Sequence, residues 1–124
     1  MPTESPRITP AAVEALRDWV GRSESFDDEI TAAPVRGLAA TLDLDNVRGE
    51  PGEELRPLWH WLYFLPRAPQ SQIGDDGHPR LGGFLPPVPL PRRMWAGGRL
   101  QWDAPLRVGD AAQRVSRIAS VEHK

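Results

Sequence analysis

A chain of 124 residues with 15 basic and 17 acidic side chains, for a net charge of -2, has no large positive field with which to hold nucleic acid or an anionic bilayer. It contains no cysteine, which excludes disulfides, thiolate zinc sites and a cysteine nucleophile, and makes a reducing, cytoplasmic setting the expectation. No apolar run approaches the ~20 residues that span a bilayer, and residues 1–9 carry charge and proline where a leader would carry an apolar core.

Thr9-Pro10 followed by Val13, Leu16, Trp19 and Val20 reads as an N-cap, a proline in the first turn and apolar residues at helical spacing, with Gly21 as the stop. Thr31 with Pro34, then Val35, Leu38, Ala39 and Leu42, repeats that grammar and predicts a second helix ending over 43–46. Between them, the short acidic stretch 24–30 fits either a loop or an edge strand. Residues 47–56, with Pro51-Gly52 and little apolar content, read as a solvated connection.

The next block, Leu58-Trp59-His60-Trp61-Leu62-Tyr63-Phe64-Leu65, is closed by Pro57 and Pro66 and reads as a two-turn helix, a buried strand being the alternative. From 66 to 91 the chain holds seven of its 14 prolines, which leaves too few amide donors for a ladder and predicts a long, stiff loop. Met94, Ala96, Gly98, Leu100 and Trp102 then alternate with polar and aromatic neighbours, predicting a strand over 94–103 with a bend at Gly97-Gly98. Residues 105–110 read as a turn, and 111–124, with Val115, Ile118 and Val121 at a three-residue spacing that also fits a helix, as a returning strand beside 94–103.

Motifs for chemistry are sparse. His60, His78 and His123 have no metal-ligand spacing among them. His60 reads as a packed or interface histidine, and His78, in Asp75-Asp76-Gly77-His78-Pro79, as part of a turn. Asp43 and Asp45 form a carboxylate pair at a helix end with no histidine near them in sequence. The stretch 86–93, Pro86-Pro87-Val88-Pro89-Leu90-Pro91-Arg92-Arg93, contains a PxxP core at Pro86 and Pro89, so a proline-rich interaction module is a second class of function to weigh.

Three strings taken together carry a family likeness: Pro57-Leu58-Trp59-His60-Trp61-Leu62-Tyr63-Phe64-Leu65-Pro66, then Asp76-Gly77-His78-Pro79, then Gly82-Gly83-Phe84-Leu85-Pro86-Pro87-Val88-Pro89-Leu90-Pro91-Arg92-Arg93-Met94-Trp95-Ala96-Gly97-Gly98. They resemble the N-terminal half of the MaoC-like acyl-thioester dehydratases, the group containing mesaconyl-CoA and itaconyl-CoA hydratases and hydroxyacyl-thioester dehydratase type 2. The resemblance implies an α+β hotdog fold, an antiparallel sheet around a central helix, with 1–124 as one hotdog domain incomplete at its C-terminus. It also implies that 58–65 begins the central helix, that 95–103 and 111–123 are sheet strands joined by the 105–110 turn, and that two hotdogs pair into one active unit.

Catalytic copies in that family carry an Asp and a His in a G-D-x-N-P-x-H pattern after a helix. Here Leu42-Asp43-Leu44-Asp45-Asn46-Val47-Arg48 places Asp43 at the Asp and Arg48 at the His, and a permanently charged guanidinium cannot act as a base at neutral pH. The resemblance therefore implies a non-catalytic half of an enoyl-CoA hydratase or 3-hydroxyacyl-thioester dehydratase, with no catalytic residue, metal or cofactor of its own. Its implied partners are an acyl-CoA or acyl-carrier-protein thioester and a second, catalytic hotdog, with Trp59, Trp61, Phe84 and Trp95 as candidates for the wall of the acyl-thioester site.

Overall fold

The computed structural model describes residues 7–124, so most of the charged, proline-bearing start of the chain lies outside the described residues. Among the described residues the protein is α+β: two short α-helices, three 3-10 turns and one two-stranded antiparallel sheet. It divides into two compact units, the first made of the residues up to Glu24 with Arg67–Gly97 and Val115–Lys124, the second of Ser25–Pro66 and Gly98–Arg114.

In the first unit, α1 spans Pro10–Leu16, starting where the sequence predicts but ending short of Gly21, with Pro10 in the first turn, where its missing N–H costs nothing. The Thr9 hydroxyl accepts from the Ala12 amide at 3.1 Å, a cap worth about 1 kcal/mol. Val13 and Leu16, three residues apart, are the buried members of its inner face. The helix tightens into a 3-10 turn over Arg17–Trp19. The indole N–H of Trp19 and the Arg22 guanidinium both donate to the Gly83 carbonyl, at 3.1 and 3.0 Å, and the guanidinium also lies 4.2 Å from the Trp19 ring. A short helix is thereby pinned to the proline-rich loop, which is irregular apart from a 3-10 turn at Gln70–Gln72 and an antiparallel bridge between Ile73 and Pro79.

The sheet pairs β1, Ser23–Glu29, with β2, Ala111–Arg117. In the first unit the Ile118 amide donates to the Arg22 carbonyl; in the second the Ile30 amide donates to the Asp110 carbonyl. This register sets Asp27 opposite Gln113, whose side chains hydrogen-bond at 3.1 Å, and Phe26 opposite Arg114, whose guanidinium lies 5.1 Å from the phenyl ring. The acidic stretch is therefore a strand, and it, not 94–103, is the partner of β2. The turn entering β2 closes where the Arg107 amide donates to the Asp110 carboxylate at 2.9 Å and the Asp110 amide to the Arg107 carbonyl. Gly109 takes φ +101 there, a conformation a side chain would oppose.

In the second unit, α2 spans Ala32–Thr41 and buries Val35 and Ala39, one turn apart, while Leu42 stays exposed just past its end. Its packing partner is the 3-10 turn Trp59–Leu62. The core joins Ile30, Val35, Leu55, Tyr63 and Val108, with Trp59, Leu62, Phe64 and Leu106 packed around them. Ile30 and Val35 are fully enclosed, and each contributes about 1.5–3 kcal/mol. Leu55 and Val108 meet across a short ladder in which the Leu55 amide donates to Leu106 and the Val108 amide to Glu53. The connection expected to be fully solvated thus donates a core residue.

Two expectations fail here. The block 58–65 is not a two-turn helix, because Leu58 (φ 75) and Phe64 (φ 57) both sit in the left-handed region and limit regular structure to the single turn between them. The segment 94–103 is not a strand: its residues are exposed, Met94 at 89%, and none of them pairs in a ladder among the described residues. An alternating pattern chooses the faces of a strand, but a neighbouring strand must supply the hydrogen bonds.

Candidate functional site

The second unit carries an open pocket of about 450 Å³. The 3-10 turn and its left-handed exit build one wall, placing His60 and Phe64 there. Phe64 is fixed through its backbone: its N–H donates to the Asp28 carboxylate at 2.8 Å and its carbonyl accepts from Arg114 at 3.4 Å. Tyr63 beside it is buried, its hydroxyl donating to the Thr31 carbonyl. Burial first, and the nearby Asp28 charge second, push the Tyr63 pKa above its ordinary value.

The opposite wall is the extended piece Arg99, Leu100, Gln101 and Trp102. The His60 imidazole stands edge-on to the Trp102 ring at 6.4 Å and tilted against Trp61 at 5.5 Å. Leu55 and Leu106 contribute aliphatic surface, and Arg56, Arg99 and Arg114 contribute three guanidiniums. No carboxylate is among the lining residues, so His60 has no acidic partner in the cavity with which to form an acid-base pair. The site can hold an apolar group with negative charge, but it does not assemble a proton-transfer pair.

Of the positions singled out in the sequence, Trp59 and Trp61 belong to this unit and Phe84 and Trp95 to the other. None of the four lines the cavity. Trp59 is half-buried against the core, with Arg56 5.8 Å from its ring, while Trp61 is exposed. Phe64 and the three arginines line the pocket and were not singled out. Their signal was available only as aromatic and basic residues in two blocks separated by an irregular loop.

Asp43 and Arg48 both lie on the exposed surface after α2. Asp43 takes φ 57 as the chain leaves the helix, and the Arg48 backbone is held at both ends, its amide donating to Glu53 and its carbonyl accepting from Arg36 at 3.0 Å. In the first unit, Asp76 accepts from the His78 amide at 3.0 Å and faces the His78 imidazole and the Arg93 guanidinium, each at 3.3 Å. The amide first, then the Arg93 and His78 charges, hold its carboxyl below the ordinary value. Arg93 also donates to the Pro79 carbonyl, so the basic end of the polyproline stretch is drawn back onto its own loop. Among the described residues no group of three His, Asp or Glu side chains is arranged to hold a metal ion, and no helix is long and apolar enough to cross a membrane.

Comparison with known proteins bears on this geometry directly. The family of hydroxyacyl-thioester dehydratase type 2 matches residues 58–124, from the 3-10 turn to the last residue of the chain. The chain belongs to that family. A relative, mesaconyl-C(4)-CoA hydratase of Chloroflexus aurantiacus, is 49% identical over 106 residues, covering 86% of this chain and 38% of the relative. This dehydratase-family chain thus corresponds to little more than a third of that hydratase. The matched region includes His60, Phe64, Arg99, Trp102 and Arg114 of the cavity, whereas Asp43 and Arg48 precede it.

Proposed function

We propose that this chain is the non-catalytic hotdog half of a hydratase or dehydratase that adds water reversibly to an α,β-unsaturated acyl thioester. The observation that carries this reading is a cavity in a chain of a dehydratase family whose lining offers one imidazole and no carboxylate. Adding water to an enoyl thioester requires a base for the water, an acid for the α-carbon and donors for the developing oxyanion. On this reading a second, catalytic hotdog supplies the Asp and His. The present half binds acyl-CoA or acyl-carrier-protein thioester, the two halves pair as a dimer-like unit, and the reaction takes place in the cytoplasm. Trp59 and Trp61 offer apolar surface to the thioester.

The degenerate positions support the same assignment. Arg48 stands where the family pattern has its histidine, and its backbone is tied down by Glu53 and Arg36. The test is a hydration assay with crotonyl-, mesaconyl- and itaconyl-CoA, following loss of the enoyl-thioester absorbance. The isolated chain is expected to show no turnover, and turnover is expected when a catalytic hotdog bearing the intact Asp and His pattern is added. Turnover by the isolated chain would overturn the proposal.

A further inference from the structure

Asp76-Gly77 is the only place in the chain where Asp or Asn precedes Gly. That order of residues carries a chemistry of its own. The backbone nitrogen of the residue after an Asp can attack the side-chain carboxyl, and glycine hinders the approach least because it has no Cβ. The nitrogen forms a bond to Cγ as the carboxyl loses its hydroxyl, which leaves as water with the amide proton. Water then opens the cyclic imide at the carbonyl on Cα. The main chain now runs through Cβ as isoaspartate, and the free carboxylate sits on Cα. Nothing is oxidised or reduced, and water is the sole reactant.

The first unit exposes this pair on a loop and engages both of its reacting groups. One Asp76 carboxylate oxygen accepts from the His78 amide at 3.0 Å; the other faces the His78 imidazole and the Arg93 guanidinium, each at 3.3 Å. The His78 amide first, and the Arg93 and His78 charges after it, favour the charged carboxylate, whereas the attack needs the neutral acid from which hydroxyl departs. The nitrogen is engaged too. The Gly77 amide donates to the Gly74 carbonyl at 3.0 Å, and the Gly74 amide closes the loop by donating to the His78 carbonyl at 2.8 Å. Arg93 comes from the far end of the polyproline stretch and grips the loop a second time, at the Pro79 carbonyl. We propose that Asp76-Gly77 is a site of spontaneous isoaspartate formation, held unreactive in the folded chain by the contacts of Asp76 with His78 and Arg93. Modification adds a methylene to the main chain and moves the carboxylate off its partners, which frees the basic end of the polyproline stretch from the loop. The inference is independent of the thioester reading, because every residue it uses belongs to the first unit.

The experiment is peptide mapping of the full chain after prolonged incubation at neutral pH, in buffer and in guanidinium chloride, with electron-transfer fragmentation to tell isoaspartate from aspartate. In buffer, isoaspartate at residue 76 is expected to form about tenfold or more slowly than in the unfolded chain, because the reactive geometry is reached only by local opening. Arg93→Gln should raise the rate in buffer about two- to fivefold, the range that a single exposed ion pair sustains, and leave the rate in denaturant unchanged. Arg92→Gln removes the same charge one residue away and should leave both rates as they are. Thermal melts establish first that each variant folds. Equal rates for the native chain in buffer and in denaturant would overturn the proposal without recourse to any variant. An unchanged rate in Arg93→Gln would overturn it as well. So would an equal rise in Arg92→Gln, since net charge and not the grip on Asp76 would then control the reaction.

Discussion

Phe64 is held in the left-handed region by an acceptor and a donor from different strands: Asp28 on β1 takes its amide and Arg114 on β2 reaches its carbonyl. A non-glycine residue in that region costs on the order of 1–2 kcal/mol, so both anchors are needed to keep it there. Asp28→Ala leaves the Phe64 amide without its carboxylate acceptor and is expected to lower stability by about 1.5–3 kcal/mol, measured by urea titration. Tyr63 next to it gives a pH-dependent prediction. Its folded pKa lies above the unfolded value of 10.0, so its contribution is complete below that pH and is lost as pH rises through the folded pKa. Melting temperature should therefore fall at alkaline pH in the native chain. In Tyr63→Phe, which loses the bond to Thr31 but cannot ionise, it should start lower and fall less. Composition made it legible that 58–65 is apolar and central to the fold. The left-handed Phe64 was not legible, because its stabilising partners come from strands distant in sequence.

At the scale of elements, two glycines in one neighbourhood predict opposite outcomes. Gly37 lies within α2, and a Cβ added there meets nothing within 4 Å. Gly37→Ala should stabilise the protein by about 0.5–1 kcal/mol, through lower backbone entropy in the unfolded chain. Gly49 has φ +68, and an added Cβ would come within 3.2 Å of the Ala32 carbonyl oxygen and of Arg36 Cγ. Gly49→Ala is expected to destabilise by about 1–3 kcal/mol, since the backbone conformation and the helix start both oppose it. Chemical denaturation of the two variants side by side checks both signs. Helices were the best-read elements, because caps, prolines and i, i+4 spacing are local: α1 and α2 lie where Thr9, Thr31 and their apolar stripes predict. Strands were read less well. Ser23–Glu29 shows almost no apolar alternation, and it is a strand because Arg114 and Gln113 on β2 complement Phe26 and Asp27 across the ladder.

For the whole molecule, the informative mismatch is 94–103, whose alternation is clear and whose ladder is absent among the described residues. Hydrophobic patterning records the complete assembly in which a sequence functions, and this chain spans 38% of the length of its hydratase relative. The proposed pairing of two hotdogs gives the segment a role, because an exposed stretch bearing Met94, Trp95 and Trp102 offers apolar side chains to an added strand or face. Hydrogen exchange tests this at the right scale. In the isolated chain the amides of 94–103 should exchange rapidly, while those of Ala111–Arg117 are protected by their ladder with β1. Adding the catalytic hotdog should slow exchange over 94–103 by about a hundredfold or more, roughly the effect of 3 kcal/mol of local stabilisation, and shift tryptophan emission to the blue as Trp95 and Trp102 leave water. If turnover appeared on mixing while those amides still exchanged as in the free chain, the two halves would be joined through another surface, and the alternation of 94–103 would need a different cause.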